Sequence, residues 1–109
     1  AIDAHAISFV KADIQGSELH MLRGAPRLLA HRHIAWQIEF CPELLADAGS
    51  APRDLFAMLA RHFSYFIDLH PTARGARRRP IAELPDALGY VEGDRSTDII
   101  VYSAEQPTA

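Results

Sequence analysis

Cysteine is nearly absent from this sequence, and long apolar runs are missing. Cys41 is the single cysteine among 109 residues, so no disulfide can form within the chain, and the composition suits a reducing compartment such as the cytoplasm. No apolar run approaches the about 20 residues that span a bilayer. We therefore expect a cytoplasmic protein with no membrane partner.

The sequence also lacks an excess of positive charge. Eleven basic residues stand against 14 acidic ones, which gives a net charge of -3. Because binding to the phosphate backbone needs a concentrated basic surface, we expect no nucleic-acid partner and favour a small molecule. Apolar residues make up 49% of the chain, which is enough for one hydrophobic core. We predict a single domain over residues 1–104 and a frayed tail over residues 105–109.

Four short runs rich in branched and aromatic residues are typical of β-strands. The first, residues 7–10, is a short, mainly apolar run and is predicted to be a buried strand whose carboxyl end lies near Asp13. Pro42 ends the second run because proline cannot donate a hydrogen bond to a neighbouring strand. The predicted strands cover residues 7–10, 34–40, 65–69 and 97–102.

Between these predicted strands, apolar residues recur at the spacing of an α-helix. Leucines recur from Ser17 onward, but Gly24 and Pro26 predict a break, with Pro26 opening a second piece of helix. Ser50 is a candidate cap for a helix that runs to Phe63. Residues 71–96, rich in proline, glycine and arginine, are predicted to form a long irregular connection.

The alternation of strand and helix predicts an α/β layer with parallel strands. Ligands bind beyond the carboxyl ends of the strands in open sheets of this kind. Asp13 and Glu39 both fall at such ends. Since adjacent strands lie about 4.8 Å apart, the two carboxylates are expected to reach one pocket.

The sequence FVKADIQGSELHMLRGAPRLL (residues 9–29), followed by IAWQIEF (34–40) and STDIIVY (96–102), resembles the carboxyl-terminal half of FkbM-type methyltransferases. The family pattern is Lys-x-Asp-x-Glu-Gly-x-Glu, then a leucine-rich helix and a strand that ends in glutamate. Lys11, Asp13, Gly16 and Glu18 match it in register. Gln15 stands where the family has glutamate, and an amide cannot take up a proton.

The resemblance implies half of a Rossmann-like class I methyltransferase sheet with flanking helices. The four strands would be the fourth to seventh, the last one antiparallel between the fifth and sixth. It also implies S-adenosylmethionine as cofactor, although the six glycines form no Gly-x-Gly cluster to cradle it. We therefore expect the missing amino-terminal half, or another chain, to be a partner that completes the sheet, because the first strand would otherwise expose an apolar edge.

The resemblance suggests roles for the polar residues at the predicted strand ends. Asp13 and Glu39 are the expected catalytic residues, with Asp13 as base or as hydrogen-bond acceptor for the hydroxyl group that is methylated. Asp13 and Gln15 are expected to contact the cofactor, while Lys11 and Glu18 support the site or touch the substrate. From position alone, a turn or cap role is the alternative for Asp13, and Glu18 is at least as typical of an acid that stabilises the start of a helix.

Other reactive residues have ordinary structural explanations. Two strand-end carboxylates can hold magnesium, but the spacing shows no further oxygen ligands, and His31 and His33 have no zinc-type partners, so we expect no metal. Cys41 is more typical of a small buried residue than of a nucleophile. The basic cluster of the 71–96 connection (Arg74, Arg77, Arg78 and Arg79) favours a solvated loop over a contact for an acidic substrate.

The sequence thus predicts a fragment of an S-adenosylmethionine-dependent methyltransferase. The acceptor implied by the resemblance is a small molecule with a hydroxyl group, such as a sugar, a polyketide or a similar metabolite. The alternative is a non-catalytic remnant or interaction module that pairs its open sheet edge with another chain. A third possibility is an α/β binding domain of unrelated function.

Overall fold

Five strands form one mixed sheet in the computed structural model, which describes residues 9–12, 16–70 and 77–103. The predicted α/β class is confirmed. In chain order the strands are β1 (Phe9–Ala12), β2 (Ala35–Phe40), β3 (Tyr65–Asp68), β4 (Arg79–Pro80) and β5 (Thr97–Tyr102). The helices are α1 (Glu18–Arg23), α2 (Pro26–Leu29), α3 (Pro42–Asp47), α4 (Pro52–His62) and α5 (Leu84–Ala87), with a 3₁₀ turn at Ile81–Glu83 before α5.

The strands lie side by side in the order β1-β2-β5-β3-β4. β1 and β2 are parallel, and β5 runs antiparallel between β2 and β3, as the sequence resemblance implied. β5 begins where β2 ends, since Thr97 pairs with Phe40. The two-residue strand β4, which the sequence did not predict, pairs antiparallel with the outer edge of β3.

One face of the sheet forms the hydrophobic core. In β2, Trp36, Ile38 and Phe40 are buried while the residues between them are half-buried, because successive side chains point to opposite faces. Leucines from all five helices or from the turns beside them complete a single cluster with this face. They are Leu19, Leu22, Leu29, Leu45, Leu55, Leu59, Leu84 and Leu88.

The opposite face is open in the part of the chain that the structure describes. None of the residues that β1, β2, β3 and β5 direct to that face is buried. The prediction of a buried strand over residues 7–10 is therefore wrong at the two of these residues that the structure describes, since Phe9 is 47% exposed and Val10 is half-buried. Lys11, on the same face as Phe9, is also exposed. The physical reason is that β1 lies at the end of the strand order, and the described helices cover only one face.

Proline starts four of the helical segments or lies in their first turn. The predicted break is confirmed, since α1 ends at Arg23 before Gly24 and α2 begins at Pro26. Pro42 likewise opens α3, a helix that the sequence analysis missed. The missing N–H of proline costs nothing at the first helical position. The longest described helix, α4, has 11 residues, and none in the described ranges is long and apolar enough to cross a membrane.

Ser50 does not cap α4, contrary to the prediction. The residue before the first turn is Ala51, which has no side chain able to accept a hydrogen bond. Ser50 instead donates its backbone N–H to the carbonyl of Leu45 at 2.8 Å, which closes the turn after α3. The chain therefore uses Ser50 to end one helix rather than to begin the next.

The predicted irregular connection over residues 71–96 is largely wrong where the structure describes it. β4, the 3₁₀ turn and α5 occupy residues 79–87, and Leu84, Leu88 and Val91 are buried in the core. These elements are only two to four residues long, which is too short for a periodic sequence pattern to predict them. Residues 71–76 and the predicted tail, residues 105–109, lie outside the described residues.

Gly16, shortly before α1, lies directly against Leu44 of α3. Its φ is +95°, and a Cβ added there would lie 2.1 Å from the carbonyl oxygen of Leu44. An L side chain rarely adopts this φ, and no heavy atom fits at that distance. Glycine is therefore required at this position of the matched motif for a structural reason.

We predict that Gly16→Ala lowers the free energy of unfolding by about 3 kcal/mol or more, because overpacking adds to the strain of the left-handed backbone. Gly49→Ala is the matched control. Gly49 has a similar φ of +83° but nothing within 4 Å of its added Cβ. We expect it to cost only about 1 kcal/mol. Urea unfolding of both variants measures the difference, and equal losses would show that the contact with Leu44 contributes nothing.

Candidate ligand-binding site at the carboxyl edge of the sheet

The carboxyl ends of β1, β2 and β3 share one edge of the sheet with the start of β5. This follows from the register, in which Phe40 pairs with Thr97 and Asp68 with Ile99. Asp68 is the last residue of β3, and Thr97 is the first residue of β5. Both side chains are buried on the core face of the sheet. Ligands of open α/β sheets bind at this edge, which makes these two residues the centre of the candidate site.

A buried carboxylate organises this edge. Asp68 is 7% exposed and accepts three hydrogen bonds. The hydroxyl of Thr97 donates to Oδ1 at 2.5 Å, the hydroxyl of Tyr90 donates to Oδ2 at 2.5 Å, and the backbone N–H of His70 donates to Oδ1 at 3.1 Å. Burial of a charge is costly unless hydrogen bonds compensate it, and three donors do so here. Asp68 thereby ties β3, β5 and the segment after α5 together.

Tyr90 keeps its proton and acts as a donor. Partial burial and, second to it, the hydrogen bond to Asp68 together raise the pKa of Tyr90 to about 12. The phenol is therefore neutral at physiological pH. Its ring meets the ring of His70 edge to face, with centroids 5.4 Å apart. Tyr90 and His70 thus form a wall whose orientation Asp68 fixes.

Two adjoining cavities open in front of this wall. The larger, of about 310 Å³, is lined by Tyr90, Val91 and Arg95 together with His70 and Ser96. The smaller, of about 190 Å³, is lined by Leu69, His70, Ser96, Thr97 and Asp98. His70 and Ser96 belong to both linings, so the two cavities meet at these residues. Their linings combine one cation, one exposed carboxylate, hydroxyls and an imidazole.

Glu39 lies beside this site, whereas Lys11 does not approach it along the sheet. Glu39 is half-buried near the end of β2, and its cross-strand partner in β5 is Asp98, which lines the smaller cavity. Lys11 is exposed and pairs with Gln37. Asp13 and Gln15 lie outside the described residues, so their predicted roles stay predictions.

Glu18 is the first residue of α1, as predicted, and is fully buried. Its Oε1 accepts the backbone N–H of Gly16 at 2.8 Å. A carboxylate in the first turn is stabilised by the positive end of the helix. The contact closes the turn directly before α1. Its supporting role toward a substrate stays a prediction.

The remaining reactive residues occupy structural positions. Cys41 is buried, with its Sγ 3.9 Å from the carbonyl oxygen of Gly93. The rings of His31 and His33 meet edge to face at 5.8 Å. Over the described ranges, no group of three histidine, cysteine, aspartate or glutamate side chains comes together in a way that could hold a metal ion.

Two arginines of the basic cluster pack against the sheet. The guanidinium of Arg78 lies 4.5 Å from the centroid of the Tyr65 ring. Arg79 forms an ion pair with Glu83 at 2.9 Å and lies over the ring of Phe66 at 5.6 Å. These contacts are structural. Arg77 is exposed, and Arg74 lies outside the described residues.

The sequence analysis missed the centre of this site. The predicted site takes its carboxylates from the ends of the first two strands only, although residues 65–69 are a predicted strand as well. The same rule applied to the third strand would have found Asp68. Tyr90 and Arg95 gave no such signal, since their positions depend on short elements within residues 79–96.

Comparison of the chain with protein-family models, with curated proteins and with solved structures finds no match. The likeness of residues 9–29 to a methyltransferase family therefore stays an expectation from the sequence.

We predict that Tyr90→Phe lowers the free energy of unfolding by about 1 kcal/mol at neutral pH, because Asp68 loses one of its three donors. The pKa of Tyr90 is raised above that of an unfolded tyrosine, 10.0, to about 12. The protonated Tyr90 therefore contributes its full stabilisation of the folded state below pH 10. That contribution is lost as the pH rises from 10 to 12. The stability difference between wild type and Tyr90→Phe should shrink over this interval.

Urea unfolding at about pH 9 and about pH 11 measures both effects. Tyr65→Phe is the control, because it removes a hydroxyl from a half-buried tyrosine that makes no hydrogen bond through that group in the described part of the chain. A stability difference for Tyr90→Phe that stays constant across the two pH values, or that matches that of Tyr65→Phe, would contradict the assignment.

Proposed function

We propose that this chain is the carboxyl-terminal part of an S-adenosylmethionine-dependent O-methyltransferase domain. Its acceptor would be the hydroxyl group of a sugar, a polyketide or a similar metabolite. The chain contributes the edge of the sheet at which that acceptor binds.

The observation that carries this proposal is the strand order. An antiparallel last strand between two parallel ones is what the resemblance of residues 9–29, 34–40 and 96–102 implies, and β5 occupies that place between β2 and β3. A polar site at the carboxyl edge of the same strands supports it further, because this is where open α/β sheets bind ligands.

Methyl transfer to a hydroxyl is an in-line displacement. The bond from the methyl carbon to the sulfonium sulfur breaks as the bond to the acceptor oxygen forms, and the hydroxyl proton passes to a base. The protein therefore has to hold the oxygen in line and receive a proton. Carboxylates at strand ends suit both tasks, which favours Asp13 and Glu39 for the roles that the resemblance gives them.

The chain's own residues fit the acceptor better than the methyl donor. Glu39 pairs across the strands with Asp98, which lines the smaller cavity together with Ser96 and Thr97. No glycine-rich loop for the donor is found in the sequence, whose glycines form no Gly-x-Gly cluster. S-adenosylmethionine would supply the methyl group, and its methionine and ribose require residues other than those described.

We predict that Asp13→Asn lowers the rate of methyl transfer by about a hundredfold while the dissociation constant of S-adenosylmethionine changes little, because an amide cannot take up the proton. Donor binding is measured by calorimetry, and transfer by isotope-labelled methyl groups, on the chain alone and on the chain with any segment encoded before Ala1. Asp47→Asn, an exposed carboxylate at the end of α3, is the control. Equal rates in wild type and Asp13→Asn would remove Asp13 from the mechanism.

A second candidate function is an interaction module that pairs its sheet edge with another chain. The observation in its favour is β1, which has one strand neighbour among the described residues and carries the most exposed large apolar side chain of those residues, Phe9. An exposed apolar edge strand presents unpaired backbone groups and invites pairing.

If this edge pairs, the chain should associate with itself at micromolar concentration and Phe9→Lys should weaken the association at least tenfold, because a charge on an edge strand opposes pairing. Sedimentation velocity over a concentration series measures it. Leu69→Lys, at an apolar residue 38% exposed just after β3, is the matched control and should leave the association unchanged. A wild-type chain that stays monomeric and melts sharply and reversibly would exclude this function.

A further inference from the structure

The two cavities at the carboxyl end of β3 are of a size to hold a small molecule. The larger, about 310 Å³, falls at the lower end of the range of small-molecule sites, and the smaller extends it past His70 and Ser96. Their lining residues come from the end of β3, the segment after α5 and the start of β5. Three separate parts of the chain therefore converge on one opening.

The walls are held in place before any ligand arrives. Asp68 binds the hydroxyls of Tyr90 and Thr97 and the backbone N–H of His70, so it fixes a wall of each cavity. Arg95 is placed by a turn in which its N–H donates to the carbonyl of Glu92 at 3.0 Å. A site whose walls are already ordered loses less entropy when a ligand binds.

The charges of the two cavities are opposite. Arg95 lines the larger cavity, and across the described residues its guanidinium makes no ion pair. Asp98 lines the smaller cavity and is exposed. A guanidinium binds carboxylate and phosphate oxygens through paired hydrogen bonds. A carboxylate accepts hydrogen bonds from hydroxyl groups and repels a second acid.

We propose that these adjoining cavities bind a hydroxylated acid, a small molecule that carries a carboxylate or phosphate group together with hydroxyls. The acid group lies against Arg95 in the larger cavity, and the hydroxyls lie against Asp98 and Ser96 in the smaller one. That this ligand is also the methyl acceptor rests on the proposed function. The binding itself does not.

Four small probes separate the parts of this proposal in titrations of the chain followed by amide chemical shifts. Glycerate carries a carboxylate and two hydroxyls, glycerol 3-phosphate carries a phosphate and two hydroxyls, acetate lacks hydroxyls and glycerol lacks the acid. We expect one or both of the hydroxylated acids to bind at least tenfold more tightly than acetate and glycerol, with shifts at His70, Ser96 and Asp98. The tighter of the two identifies carboxylate or phosphate as the acid group.

Substitutions then assign the contacts. Arg95→Gln should weaken the tighter probe at least tenfold and leave glycerol unchanged, whereas Arg61→Gln, at an exposed arginine in α4, should leave both unchanged. Failure of both hydroxylated acids to bind more tightly than acetate and glycerol, or equal weakening by the two arginine substitutions, would overturn the proposal. No methyl donor is present in these titrations, so a negative result leaves donor binding and methyl transfer to be judged separately.

Discussion

The insertion of β5 between β2 and β3 is the constraint on which the rest of the structure depends. β5 pairs with a strand on each side, and its pairing with β3 continues past both ends of β3, where Ser64 donates to the carbonyl of Tyr102 and Leu69 to that of Asp98, each at 2.9 Å. Without this strand, β2 and β3 would each leave a row of backbone donors and acceptors unpaired in the interior. The antiparallel direction also brings the start of β5 to the carboxyl edge of the parallel strands, which is why Thr97 reaches Asp68.

The hydrogen bonds to the buried carboxylate of Asp68 fix the surface at this edge of the sheet. Its three donors come from β5, from the residue two positions further along the chain and from Tyr90, 22 residues away. Leu84, Leu88 and Val91 anchor the same segment in the core by apolar contact, which is not directional. The hydrogen bond from Tyr90 to Asp68 is directional and fixes the orientation of this segment. Arg95 and Ser96, which follow Tyr90 in the chain, therefore line the larger cavity.

The sequence was informative where a pattern was long enough to be distinct. The β5 strand was predicted with its observed bounds because its apolar run is flanked by polar residues, and the break between α1 and α2 followed from Gly24 and Pro26. The two-residue β4 and four-residue α5 had too little length for any period to show, so tertiary packing decided them.

The candidate site was predicted in its location but not in its members, for a related reason. Parallel strands place polar residues at one edge, and that rule correctly brought Glu39 there beside Asp98. The contact from Asp68 to Tyr90 depends instead on how residues 77–96 fold back over the edge, which no local pattern encodes. In the motif at residues 11–18, Gly16 and Glu18 have local explanations, since the glycine permits the close approach to Leu44 and the glutamate binds the N–H of that glycine. The match at those two positions is therefore explained by local backbone structure as well as by a shared catalytic function.

The open face of the sheet meets the candidate site at the carboxyl edge. Parallel strands in open sheets are ordinarily covered on both faces, but the described helices cover only the face that carries Trp36 and Phe66. Ile67 and Ile100 lie on the other face, and Glu39 and Asp98 mark its rim at the carboxyl edge. A ligand held between Arg95 and Asp98 would therefore touch the covered side through the segment after α5 and the open side through the rim acids. An element that packs on the open face beside Glu39 and Asp98 would therefore lie next to that ligand as well.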